Sequence, residues 1–420
     1  MHASGVCDYP VHIEDDSPEM SQRVPLGLSA VAEGVFEGVH IYLTQKWSRS
    51  VRADVQWWPC TRSILGSFRT EATLFKEFVD VTPNTIVRVG ANVVRVARRS
   101  SIELTFREVK GTSRDSTVAA GVVVDWIDKT AYACAASWSR ASCVTSYVGN
   151  MHFAVPVPRD TPVTVQARVV HTGRTSVHVQ TRVLIAKPGG GWTVCTECFM
   201  IYVAIGEDGE PTSVAPFSPS TELERRRDVD ASQRMIHRKQ IEETIQQLPA
   251  SMGTSEGLTL RFIAETDQRY PDGKIRGGAV MKWIDLAAEI CAERYCGYDV
   301  ASVLTGGVRF YRPITEGDLV EVDARLVLTG SKSMHVLVRV RAGDRWDKQP
   351  QVVAYGLPVM VAPDGTGSAR RIARWEPISD EDHAVAEKAR RIRDLRNATL
   401  VTPSPHAGPN EGVVDEAALA

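Results

Sequence analysis

The sequence predicts an α+β protein built from two copies of one domain, each an antiparallel sheet wrapped round a long central helix, the copies pairing pseudo-symmetrically. Two observations carry this. Sliding the chain against itself by 157 residues aligns Gly121 to Val183 with Gly278 to Val340 without a gap, with 23 identities in 63 positions. That is far above chance, so each stretch is a copy of one structural unit. Inside each copy, the apolar period changes from helical to strand-like.

Residues 1–95 of the 420 have no counterpart in the repeat; their aromatic clusters, such as VQWWPC, and the apolar stretch TIVRVGANVVRVA suggest strands without placing them. A strand precedes each helix, IELTF at 102–106 and LTLRF at 258–262. In GAVMKWIDLAAEICAERY, the residues Val280, Trp283, Ile284, Ala287, Ala288, Cys291 and Ala292 recur at three- and four-residue spacing after a pair of glycines, which is the pattern of a helix buried on a broad face. RFYRPI, DLVEVDARLVLTG and SMHVLVRVRA then alternate apolar with polar and are divided by Pro- and Gly-containing turns, as antiparallel strands require. The helix has to bury its apolar face against that sheet.

Between the copies, the six cations from Arg225 to Lys239 are balanced by Glu222, Glu224, Asp228, Asp230, Glu242 and Glu243, which predicts a solvated connecting helix rather than a phosphate patch. Ser379 followed by Asp382 reads as a cap for a helix reaching about Arg396, and the polar tail after it reads as disordered. The expected boundaries are an N-terminal extension at 1–95, repeat domains at 96–218 and 250–375 joined by a linker helix at 219–249, and the C-terminal helix and tail at 376–420.

With 49 Lys+Arg against 51 Asp+Glu and no basic half, the chain lacks the electrostatic footprint of a nucleic-acid binder. No stretch approaches the roughly 18 apolar residues of a membrane span. Eight cysteines are few for this length and no secretion pattern opens the sequence, so a cytoplasmic location is expected. Cys195 and Cys198 form a CxxC, but they lie in the strand-like WTVCTECFMIYVAI without a second ligand pair, so ordinary cysteines are expected and no metal site.

The arrangement GGAVMKWIDLAA, followed by FYRPITEGDLV and TGSKSM, resembles the tandem hotdog acyl-coenzyme A thioesterases. The first copy carries the same landmarks as AGVVVDWIDKTA, FAVPVP and TGRTSV, so the resemblance covers roughly residues 101–363. It implies a hotdog fold in each half, pairing of the halves, and hydrolysis of fatty acyl-coenzyme A to a fatty acid and free coenzyme A. Coenzyme A is then part of the substrate and no separate cofactor is needed. A homo-oligomer of double-hotdog units is expected.

The residues agree with that chemistry. Gly121 and Gly278 stand where each helix begins, so their backbone N–H groups can approach a carbonyl oxygen and stabilise an oxyanion. Asp128 and Asp285 lie seven residues further on, roughly 10 Å from their own glycine at 1.5 Å per residue. One carbonyl cannot touch both, so the expected site is shared, with a helix N-terminus from one copy and the carboxylate of the other acting as general base or nucleophile. A buried aspartate also has structural uses, but recurrence at one place in both copies favours chemistry.

Active members of the family place an asparagine eleven residues before the carboxylate position. Here those positions hold Thr117, which can bond a water, and Lys274, which can neutralise the opposing aspartate or reach a phosphate. The better site is therefore expected at Asp285 with Thr117 and Gly121 opposite, and the second at Asp128 with Gly277 and Gly278. The turns containing Arg174 and Ser176, and Lys332 and Ser333, offer cations and hydroxyls suited to coenzyme A phosphates, although hairpin turns use the same residues. His178 and His335 occupy matched strand positions and read as packing residues. A non-catalytic acyl-coenzyme A sensor with a degenerate site is the competing reading.

Overall fold

The computed structural model describes residues 100–107, 117–153, 155–187, 190–270, 272–366 and 368–397, together with the backbone of four earlier strands. Those four are β1 (Val31–Phe36), β2 (Val39–Thr44), β3 (Ile86–Val89) and β4 (Asn92–Arg98). The first repeat contributes β5 (Ser101–Phe106), helix α1 (Ala120–Ser139), β6 (Ser142–Val148), β7 (Met151–His152), β8 (Val163–Thr172), β9 (Ser176–Ala186) and β10 (Trp192–Ile205). Helix α2 (Glu222–Gln246) follows as the linker. The second repeat contributes β11 (Gly257–Ile263), helix α3 (Gly277–Cys296), β12 (Ala301–Thr305), β13 (Val308–Arg309), β14 (Leu319–Thr329), β15 (Ser333–Gly343), β16 (Gln351–Gly356) and β17 (Val359–Val361). Helix α4 (Asp380–Asn397) closes the described chain. The expected disordered tail lies outside the described residues.

Each central helix is apolar over most of its surface and is buried accordingly: Ile127 and Ile284 are both 0% exposed. Each such side chain is worth roughly 1.5 to 3 kcal/mol of transfer free energy. Both helices stop in a left-handed residue, Arg140 in α1 and Gly297 in α3, whose N–H returns to the carbonyl four residues back. Neither helix has a side-chain cap at its start. That leaves first-turn N–H groups to be satisfied by something else.

The sheets wrap the helices with the predicted alternation. Along β14, Val320, Val322 and Ala324 are 0% exposed and the intervening Glu321 and Asp323 lie on the opposite face of the strand. The first sheet runs β1-β2-β3-β4-β5-β8-β9-β10-β6-β13 and the second β11-β14-β15-β17-β12-β7, with β16 also on β15. Two short strands change sides: β13 of the second repeat pairs with β6 of the first, and β7 of the first pairs with β12 of the second. This reciprocal exchange joins the two halves, and α1 packs against α3.

The linker helix is less solvated than its charge pattern predicts. Thr221 caps it in a reciprocal capping box with Glu224. Near its end, Ile241 and Ile245 pack with Val385, Ala389 and Ile392 of α4 over Leu328 and Leu337 on the outer face of the second sheet. Charge balance reports the exposed side of a helix and is silent about a narrow apolar stripe on the other. Helix α4 begins as predicted, with the Asp382 N–H donating to Ser379 Oγ at 3.1 Å. The Asp382 carboxylate also accepts from the N–H groups of Thr254 and Ser255, tying the segment that leads into β11 to the C-terminal helix.

Candidate active site

The first turn of each of α1 and α3 packs against the second and third turns of the other, and glycine is what lets them approach. A Cβ on Gly121 would stand 3.0 Å from Lys282 Cα and 3.3 Å from Asp285 Cβ; one on Gly278 would stand 2.7 Å from Asp128 Cβ and 2.9 Å from Asp125 Cα. Glycine permits that approach of backbone to backbone. The contact brings the N-terminus of each helix onto the aspartate of the other: Gly121 N–H donates to Asp285 Oδ2 at 2.9 Å. The uncapped start of α1 thus finds its acceptor in the opposite repeat, where the positive end of the helix favours a carboxylate.

The two aspartates then diverge. Asp128 is 0% exposed and its carboxylate is filled. Tyr202 donates to Oδ1 at 2.8 Å, Thr145 to Oδ1 at 3.1 Å and Tyr270 to Oδ2 at 2.8 Å. Burial raises its pKa, opposed by the Gly278 N–H, by Tyr202, by the Arg276 charge and by Tyr270. Tyr132 stacks on Tyr270 with ring centroids 4.0 Å apart and closes the cluster.

At Asp285 the same fold presents different side chains. Ser302 replaces Thr145. The register Thr145↔Tyr202↔Val177 in the first sheet corresponds to Ser302↔Met360↔Met334 in the second, so Met360 stands where Tyr202 does. Its thioether cannot donate a hydrogen bond. Asp285 Oδ1 and Ser302 Oγ are both buried and close to one another, and neither makes a hydrogen bond of normal geometry among the described residues. Burial pushes the Asp285 carboxyl up to about 6, against the Gly121 N–H and the nearby Ser302 hydroxyl, which favour the ionised form. Orphaned buried polar atoms are rare enough to call for an explanation, and a place for a water or a reacting group is one.

The remaining predicted residues are placed as follows. Thr117 forms an isolated bridge to Pro158 just before α1, and Lys274 the matching bridge to Thr315. The Lys274 side chain makes no described contact with Asp128; the cation whose field acts there is Arg276, a residue the sequence reading passed over. Arg276 pairs with Asp125 at 2.7 Å and is 5% exposed. Burial opposes ionisation of Asp125, but Lys129 and Arg276 outweigh it and hold its carboxyl below the usual range. Gly277 packs its backbone against Thr145, where a Cβ would meet Thr145 Cβ at 2.6 Å.

Arg174 is exposed in its turn, and Lys332 reaches Ser368 Oγ at 2.8 Å. Ser176 shares a hydrogen bond with His178 Nε2, and Ser333 closes its turn through its carbonyl, which accepts from the Gly330 N–H. His178 and His335 are buried, and burial lowers their pKa to about 3 and about 4. Cys195 and Cys198 are buried thiols pushed up to about 11 and about 12. No cluster of His, Cys, Asp and Glu able to hold a metal occurs among the described residues.

The family model of the thioesterase superfamily matches residues 116–190 and again 273–346, the first spanning α1, Asp128 and the strands to β9, the second α3, Asp285 and the strands to β15. An uncharacterized acyl-CoA thioester hydrolase of Zymomonas mobilis is 30% identical over 130 residues, covering 31% of this chain and 85% of the relative. The chain belongs to the thioesterase superfamily. A longer relative in this superfamily, the acetyl-coenzyme A thioesterase of Mus musculus, is 26% identical over 302 residues and 66% of this chain; the chain spans 54% of the length of that protein. Among solved structures, an apo-hexameric acyl-CoA thioesterase is 30% identical and covers 34% of this chain and 92% of its own, with a TM-score of 0.32. No helix among the described residues of this superfamily member is long and apolar enough to cross a membrane.

Proposed function

We propose that this chain hydrolyses fatty acyl-coenzyme A to a fatty acid and free coenzyme A at one composite site, built on Asp285 against the N-terminus of α1. The observation that carries the reading is the contrast between the aspartates: Asp128 accepts from two tyrosines, a threonine and a backbone N–H, whereas Asp285 Oδ1 has only the Ser302 hydroxyl near it and makes no hydrogen bond of normal geometry. A carboxyl near pH 6 is ionised at neutral pH yet basic enough to accept a proton.

In the general-base form, a water between Asp285 Oδ1 and Ser302 Oγ gives its proton to the carboxylate as its oxygen attacks the thioester carbonyl. Collapse of the tetrahedral oxyanion breaks the C–S bond, and the departing thiolate takes the proton from Asp285. In the nucleophilic form, Asp285 itself attacks, thiolate leaves, and water cleaves the mixed anhydride. Gly121 N–H is committed to the carboxylate before substrate binds. It therefore orients the base first, and becomes an oxyanion donor only if substrate takes that bond from Asp285.

Coenzyme A enters as part of the substrate and the chemistry calls for no further cofactor; the exposed Arg174 and Lys332 turns are the cationic candidates for its phosphates. The family relationship supports a cytoplasmic enzyme, since one matched relative, from Rattus norvegicus, is a cytosolic acyl coenzyme A thioester hydrolase. The test is steady-state hydrolysis of an acyl-coenzyme A chain-length series. Turnover above buffer for at least one chain length is expected. Tight binding of a non-hydrolysable analogue without turnover would make the protein a sensor instead.

A further inference from the structure

We infer that two copies of this chain pair through the free edge of the second sheet, strand β11 of one against β11 of the other across a two-fold axis. Among the described residues, strand β11 ends its sheet and is hydrogen-bonded only to β14, so alternate N–H and C=O groups point away from the described structure. The equivalent strand of the first repeat, β5, is not left open: β4 lies antiparallel on its outer edge, with Val94 opposite Leu104 and Val96 opposite Ile102. The two edges are equivalent by register, since Ile102, Leu104 and Phe106 face Ala167, Val165 and Val163 as Leu258, Leu260 and Phe262 face Ala324, Val322 and Val320.

Burial follows that difference. Ile102, Leu104 and Phe106 are 2%, 8% and 6% exposed, whereas Leu258, Leu260 and Phe262 are only partly buried against the same core. Ile263, on the opposite face of the strand, is 41% exposed. On the adjoining helix, Leu286 is 46% exposed, at the position where the first repeat has Lys129. The second repeat thus presents an apolar strip where the first has a covered strand and a charge.

What fits the strip is the strip itself. An antiparallel pair centred on Leu260 sets Leu258 opposite Phe262 on the helix side, Leu260 opposite its own copy, and Thr259 opposite Arg261 on the other side. No like charges stand opposed, each Arg261 is already neutralised by Glu321 at 2.7 Å, and an isologous contact of this kind closes after two copies. An open edge with apolar side chains is otherwise an aggregation liability.

Two variants test the pairing in the full-length protein. Leu260→Lys sets two ammonium groups against each other at the axis, and light scattering coupled to size exclusion should show its molar mass at least two-fold below that of the wild type. Leu260→Cys should give a disulfide-linked pair of chains under mild oxidation, because directly opposed residues in an antiparallel pair have Cα atoms roughly 4.5 to 5.5 Å apart, within disulfide range. Peptide mapping then has to find the introduced thiol joined to its own copy. Equal masses for wild type and Leu260→Lys would overturn the inference. So would the introduced thiol joined to Cys7 or Cys60 of the same chain, which would show that the N-terminal region covers this edge.

Discussion

Replacing Asp285 by asparagine should stabilise the folded protein at neutral and alkaline pH even as it slows turnover. Burial lifts the carboxyl from 3.8 to about 6, so the folded state binds the proton more tightly than the unfolded chain does. A group shifted in this direction makes its full contribution below about pH 4, where both states hold the proton, and loses it as the pH rises through about 6. Above that the ionised carboxylate costs the fold about 3 kcal/mol, at about 1.4 kcal/mol per tenfold change in proton affinity. Asparagine keeps the shape and an acceptor for the Gly121 N–H but has no charge to desolvate. Urea unfolding of wild type and Asp285→Asn at pH 4 and pH 8 measures the difference. The two should be close at pH 4, with the variant ahead by up to about 3 kcal/mol at pH 8. A variant equally or less stable at pH 8 would show that the wild-type carboxylate is solvated or paired, and the argument for a poised base would fall with it.

Three further outcomes are expected. The pH profile of kcat/KM should rise through an apparent pKa of about 6 as Asp285 ionises; a rate flat from pH 5 to 8 would count against Asp285 as the base. Arg174→Ala or Lys332→Ala should raise KM by the loss of a contact worth on the order of 1 to 3 kcal/mol, and unchanged KM in both at low ionic strength would remove these turns from the coenzyme A site. Expressed separately, residues 96–218 and 250–375 should each be insoluble and should recover together, because β7 and β13 complete the sheet of the opposite half; two well-behaved fragments without mutual affinity would contradict this.

What could be read from the sequence was whatever recurs with a period. The 157-residue repeat, the helical spacing in Val280 to Ala292 and the alternation of β14 and β15 each repeat a physical signal several times over, and they specify the double architecture. The exchanged strands β7 and β13 are two residues long, too short for any alternation to show. The duplicated aspartates were visible, as was the need for a site shared between copies. Ser302 was within reach, because a hydroxyl residue stands at the same distance after each aspartate, Thr145 in one copy and Ser302 in the other.

The tyrosines around Asp128 were not. Tyr270 precedes the aligned block, and Tyr202 follows it, where a one-residue insertion in the second copy shifts its counterpart to Met360. Arg276 was hidden for a different reason. Its partner Asp125 aligns with Lys282, so the ion pair breaks the pseudo-symmetry that made the rest of the site legible.

Whether one of the two duplicated carboxylates does the chemistry is decided by comparing kcat for Asp285→Asn and Asp128→Asn with the same acyl-coenzyme A. Asp285→Asn should lower kcat by roughly 10² to 10⁴-fold with KM little changed, the mark of an interaction needed in the transition state. Asp128→Asn points an amide donor at the hydroxyls of Tyr202, Tyr270 or Thr145, and should cost stability on the order of 1 to 3 kcal/mol while sparing kcat in the protein that remains folded. Full activity in Asp285→Asn, or a collapse of kcat confined to folded Asp128→Asn, would show that Asp285 is not the base.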